Sequence, residues 1–192
     1  MSPELNYVVR WVHFLAGITW IGLLYWFNLV NVPFMKALDP AARPMVVPTL
    51  LPRALAWFRH AAWLTVLAGL LLIWSIYWQD GALFNTTSDR TIFVGGILGV
   101  IMLFNVWVFI WPNQRRVINA LKTGQAADPA WGRRALYASR TNFALSFPML
   151  LFMAGAAHYP LDWVGLLVVG VIAAAIGLGI VMSVQKYWAA RF

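Results

Sequence analysis

No cysteine occurs anywhere in the 192 residues. That absence excludes disulfides, iron–sulfur clusters, thiolate metal sites and covalently attached c-type haem, whose attachment needs C-x-x-C-H. Any cofactor must be held by histidine, methionine, carboxylate or backbone. Carboxylates are scarce too, with six Asp and Glu against 14 Lys and Arg, and charged residues make up only 10% of the chain. Soluble domains carry about a quarter. No span carries a mid-membrane charge or a Gly/Pro-broken pair in matching halves, which argues against a transporter. There is no internal repeat, no low-complexity tract and no nucleic-acid motif to go with the net charge of +8.

What is present is apolar: 62% of residues are hydrophobic and 16% aromatic. A hydrocarbon core of about 30 Å needs roughly 20 apolar residues per helix, and the sequence supplies several such runs. The pattern predicts an all-α fold, an integral membrane bundle of five helices in a single transmembrane domain. The expected spans are about 7–31, 55–78, 91–112, 141–159 and 162–188, because Pro, Asp, Arg and Asn cluster between them. The N-terminal segment lacks a basic leader and a small-residue cleavage site, so the first span is expected to be retained.

Charge asymmetry sets an orientation. Twelve basic residues (Lys36, Arg43, Arg53, Arg59, Arg115, Arg116, Lys122, Arg133, Arg134, Arg140, Lys186 and Arg191) fall on one side of these spans, and only Arg10 and Arg90 on the other. The positive-inside rule then places the N-terminus in the periplasm and the C-terminus in the cytoplasm of a bacterial inner membrane. Glu4, Asp80, Asp89 and Asp162 fall on the outer side. The lipid bilayer, with its anionic headgroups, is the first partner and no nucleic acid is expected.

Local punctuation refines the loops. Pro33, Pro40, Pro44, Pro48 and Pro52 predict a folded-back connector over 32–54 with no helix longer than about a turn. The stretch 113–140 is expected along the inner surface, with a short helix ending at Gly124. Gly95 with Gly99, and Ala173 with Gly177, have the spacing of close helix contacts. Trp74, Tyr77, Trp78, Tyr187 and Trp188 sit at span ends, as interfacial belts do.

Three histidines carry the candidate chemistry. His13 lies about 9 Å inside the outer end of the first span at ~1.5 Å per residue, His158 closes the fourth span at the same side, and His60 opens the second near the inner side. At 100° per residue His13, Gly17, Trp20, Leu24 and Asn31 share a stripe, with Asn28 at its flank. The same arithmetic aligns Arg140, Phe147, Leu151 and His158. Two imidazoles at one depth, without thiolates or carboxylates, suit bis-histidine ligation of a haem b, its ring lying among Phe and Trp side chains. The cofactor residues expected are therefore His13 and His158 on iron, with Gly17 leaving room for the macrocycle and Trp20 beside it. The plainer reading is that His13 bonds a neighbouring carbonyl. A copper site using Met149 and Met153 is a third reading.

Toward the inner side Asn28, Asn31, Arg59, His60, Asn105, Asn113, Arg140 and Asn142 gather. Arginine forks and amides suit a planar anion rich in hydrogen-bonding groups; the substrate-binding set expected is Arg59, Asn28, Asn105 and Arg140. No catalytic residue is assigned. Asn31 and His13 are about 27 Å apart along a helix, too far for direct contact between a substrate and the haem as placed.

The segments RWVHFLAGITWIGLLYWFN, LPRALAWFRHAAWLT, FNVWVFIWPNQRRVI and ASRTNFALSFPMLLFMAGAAH together resemble the membrane domain of the bacterial membrane-bound urate oxidases, the urate hydroxylase family. The resemblance implies oxidation of urate, a small anionic purine, to 5-hydroxyisourate with electrons passed to a cytochrome c. That domain is typically joined to a cytochrome c, whereas these residues contain no C-x-x-C-H, so the expectation is either a separate cytochrome c as acceptor or a divergent member with another role. His60 stands where the family's W-F-R-x stretch has an aromatic, which leaves Arg59 the residue to carry over. More distantly, WVHFLAGITWIG resembles the first helix of small membrane proteins of the protoporphyrinogen-oxidase type, which binds haem at a first-helix histidine, and of the copper-transport type. The rival expectation is an accessory subunit without chemistry, packed against a larger respiratory or oxidase membrane complex.

Overall fold

A computed structural model describes residues 1–75 and 84–184; Tyr77, Trp78, Asp80, Lys186, Tyr187, Trp188 and Arg191 lie outside them. Among the described residues the structure is all-α. Helix α1 spans Pro3–Tyr25 and passes through a π-helical segment, Trp26–Asn31, into α2, Val32–Ala37. A 3₁₀ turn, Pro40–Ala42, leads into α3, Arg43–Ile73. Helix α4, Thr87–Asn105, continues through a second π segment, Val106–Ile110, into α5, Trp111–Lys122; α6 is Pro129–His158 and α7 is Trp163–Ser183.

The helix starts follow from local chemistry. Ser2 accepts from the Leu5 amide, Asp128 from that of Ala130 and Asp162 from that of Gly165, while Thr86 and Asp89 form a reciprocal capping box. Each satisfies amides that a first turn leaves orphaned. Gly124, with φ of +68°, ends α5 as expected.

Four helical stretches are long and apolar enough to cross a membrane: Pro3–Ala37, Pro40–Ile73, Thr87–Lys122 and Trp163–Ser183. The first three hold 34 to 36 residues, about 50 Å at 1.5 Å per residue, which overshoots a 30 Å hydrocarbon core. Helix α6, the fourth expected span, is not among these four. It packs against α1, α4, α5 and α7 at the centre of the bundle, and its polar residues Asn142 and Ser146 are turned inward. Helix α7 sits at the periphery, exposing Leu167, Val171 and Ile172.

Two loop expectations are corrected. The proline-rich stretch is largely helical, with Pro44 in the first turn of α3 and Pro48 and Pro52 inside it. The three prolines recur every fourth residue, so the missing amide bonds fall along one side, while Val47, Leu51 and Leu55 on another side are buried. The stretch 113–140 is likewise no surface loop: α5 continues the α4 rod without a break, and α6 begins at Pro129.

Lipid is as apolar as leucine, so helices in it associate by close packing more than by burial from water. Gly95 is one seam: a Cβ there would stand 3.3 Å from Phe152 Cβ of α6. Gly177 is another, where a Cβ would meet the Phe147 ring at 2.7 Å and Ala144 Cα at 3.1 Å.

Candidate functional site

Between α1, α3, α4 and α6, at the His13 end of the bundle, lies a cavity of about 490 Å³, within the range of small-molecule and cofactor pockets. Glycine creates it. Gly17, Gly22, Gly69, Gly96 and Gly99 all line it, and a Cβ at Gly22 or Gly99 would meet nothing within 4 Å. Apolar side chains, among them Ile18, Ile21, Val66, Met149 and Met153, supply most of the wall; Arg10 is exposed on its rim.

His13 is half-buried in that wall, and its Nδ1 lies 2.8 Å from the Thr65 carbonyl oxygen of α3. A carbonyl only accepts, so in the neutral ring Nδ1 carries the hydrogen and Nε2 keeps its lone pair. The expected carbonyl bond is therefore present, and it selects the tautomer that a metal-binding imidazole uses. Gly69 gives the ring its room, since a Cβ there would stand 3.0 Å from His13 Cε1. Trp20, also in the wall, is 1% exposed, and its Nε1 is buried without a partner. Such an orphan donor costs about 1–3 kcal/mol unless something in the cavity accepts from it.

The cavity thus brings together His13, Gly17 and Trp20. It does not bring in His158, which ends α6 exposed to the outside, while Ala156 and Ala157 form the wall at that height. The buried face of α6 runs through Phe143, Ser146, Met149, Phe152 and Ala156; Leu151, aligned with His158, is exposed. Met149 and Met153 face the cavity from α6. Among the described residues no group of three or more His, Asp or Glu gathers as a metal site.

The inner polar residues are organised differently. Both π segments flank one level of α3: Phe27 packs on Phe58 at 5.4 Å, and the Arg59 guanidinium lies 3.9 Å over the Trp111 ring and 5.8 Å from Trp107. Extra residues of this kind in a helical turn recur at functional sites. Asn28 donates to the Leu24 carbonyl and to Ser139 Oγ, both at 2.9 Å. Asn105 donates to Asn142 Oδ1 at 2.8 Å, and Asn142 donates to the Met102 carbonyl at 2.8 Å. Arg140 is half-buried beside Ser139, whereas His60 is exposed, edge-on to Trp107. The four expected substrate residues thus occupy this end, with Asn28 and Asn105 tied into interhelix hydrogen bonds. Asn28 Oδ1, Asn31 Oδ1, Asn113 Oδ1 and Arg59 Nε are buried without partners.

Sequence reasoning missed Thr65 and Gly69. Gly69 carried a signal, as a poor helix former within an apolar helical run. Thr65 carried none, because its contribution is a backbone carbonyl.

Residues 83–191 match the family described as urate oxidase N-terminal, a stretch covering more than half of the chain. It takes in the α4 and α6 walls of the cavity but not His13, Thr65 or Arg59. No curated protein and no solved structure matches the chain.

Proposed function

Because the chain belongs to the urate oxidase N-terminal family, we propose that it is a membrane oxidoreductase acting on urate and that the His13 cavity holds a b-type haem. The observation that carries the cofactor is the tethered imidazole: its Nδ1 is committed to the Thr65 carbonyl, its Nε2 is available to iron, and it lies in a glycine-opened, mostly apolar cavity. The residues fit the group. A porphyrin brings four nitrogen donors of its own, so one well-oriented histidine suffices where a bare metal ion would need a cluster. The walls suit the macrocycle, and Arg10 on the rim suits its propionates. When bound, the haem would supply one-electron redox chemistry. His13 would fix it, and Gly69 and Thr65 would orient His13.

Oxidation of urate with water to 5-hydroxyisourate releases two electrons and two protons, and a cytochrome c is the proposed acceptor. The inner layer is the proposed urate site. Arg59, held flat by Trp111, offers charge to the monoanion, and the unpartnered amide oxygens of Asn28, Asn31 and Asn113 await N–H donors, which the purine has. Asn105 and Arg140 complete the set. The proposed orientation, from the basic excess at this inner end, places the layer toward the cytoplasm of a bacterial inner membrane.

The test is optical. The purified full chain is expected to show a dithionite-reduced minus oxidised haem spectrum. His13→Ala is expected to abolish it, and urate added without oxygen to reduce the wild-type haem. His158→Ala decides the second axial ligand, since an unchanged spectrum assigns the opposite side to another group. A colourless, intact protein overturns the haem reading and favours the accessory-subunit reading, for which the exposed Trp57, Trp63 and Trp107 offer packing surface.

A further inference from the structure

Helices α4, α6 and α7 leave a second, shallower space of about 410 Å³ on the outside of the bundle, lined by Val94, Leu98, Pro148, Phe152, Leu166 and Gly170 among others. Its walls are apolar, so they alone would mark only a lipid-facing seam. Its end distinguishes it. Trp163, the first residue of α7, lines the groove, and the Arg90 guanidinium lies 5.9 Å from that indole. Arg90 stands one turn before the groove-lining Val94 on α4, toward the Trp163 end of the groove.

Arg90 uses Nε to donate to the Phe84 carbonyl at 3.1 Å, which leaves its terminal nitrogens for another acceptor. Asp162, next to Trp163 in the chain and exposed, accepts from the Gly165 amide through Oδ1 at 2.8 Å, a bond that does not use Oδ2. The third charge here, Asp89, is buried in its capping box with Thr86. A cation thus lies by the Trp163 indole, and an exposed anion precedes that residue in the chain, at one end of an apolar groove.

We propose that this is a site for a zwitterionic phospholipid with a primary ammonium. One acyl chain would lie in the groove, the phosphate would take the Arg90 nitrogens, and the ammonium would take Asp162 Oδ2. Phosphatidylethanolamine matches both charges. Phosphatidylglycerol would satisfy Arg90 but leave its headgroup facing an anion. The site is independent of the haem and urate readings.

Native mass spectrometry of the full chain in mild detergent, titrated separately with phosphatidylethanolamine and phosphatidylglycerol, tests this. Wild type is expected to retain phosphatidylethanolamine about tenfold better, the size of one charge-assisted hydrogen bond. Arg90→Gln is expected to weaken retention of both lipids. Asp162→Asn keeps the helix cap, since asparagine caps as well as aspartate, and is expected to erase only the preference; its melting temperature reports that the fold survives. Equal retention of the two lipids by wild type overturns the proposal, as does phosphatidylethanolamine binding indifferent to both substitutions.

Discussion

The two ends of the first rod are built on opposite rules. Around His13 missing side chains leave space between the helices: five glycines line a cavity, one imidazole is tied to one carbonyl, and one indole donor is left unpaired. Around Asn28 they are drawn together by paired side chains. Amides cross from the first π segment to Ser139 and from α4 to Asn142, and the two π segments widen their turns beside Phe58 and Arg59. Hydrogen bonds across helices close an interface in lipid, whereas a glycine that no side chain faces, as at Gly22 and Gly99, leaves space there. Tight packing and an internal cavity are therefore allotted to different levels of one bundle.

That contrast predicts where damage registers. The largest stability loss is expected at the Asn28 end. Asn142→Leu removes a fully buried amide that serves Asn105 and the Met102 carbonyl together, and is expected to cost on the order of 3 kcal/mol. Thermal unfolding in detergent checks this, and a larger loss for His13→Ala would break the comparison. Next comes Gly69→Ala, whose Cβ would press on His13 Cε1. It is expected to lower haem retained per protein about tenfold, worth about 1.4 kcal/mol, with little change in melting; full haem content would show that the ring position is immaterial.

Smaller effects sharpen the same contrast. Gly99→Ala meets nothing within 4 Å, and alanine is the better helix former by up to about 1 kcal/mol. A slight rise in melting temperature of the haem-free protein is expected, and a fall would mean the cavity wall is closed there. The smallest is Trp20→Phe, which removes a buried donor that has no protein partner. The apo-protein is expected to gain up to about 1 kcal/mol while the loaded protein gains less. Equal gains in both would show that no ligand atom accepts from that nitrogen.

Much of the fold was legible because membrane helices announce themselves by composition. The apolar runs gave the helical rods. The inward stripe through Trp20, Leu24, Asn28 and Asn31 followed from helical periodicity, and all four are buried. What misled was local punctuation. Pro48 and Pro52 read as breaks, yet they lie inside α3, where prolines four apart confine their lost hydrogen bonds to one side. On α6, periodicity aligned His158 with Arg140 but had no means of knowing that the face through Ser146 and Met149 is the one turned inward.

By itself, the sequence determined that this is an all-helical, membrane-compatible chain of the urate oxidase N-terminal family, with no thiolate chemistry and few histidines, because hydropathy, charge and residue identity are local properties. Tertiary structure alone decided that His13 meets Thr65, that Gly69 and Gly99 share a cavity, and that His158 stands outside it. Those facts depend on how each helix is rotated and at what height it crosses its neighbours. Both are fixed by contacts between residues far apart in the chain, such as His13 and Thr65, 52 positions apart, and Asn28 and Ser139, 111 apart.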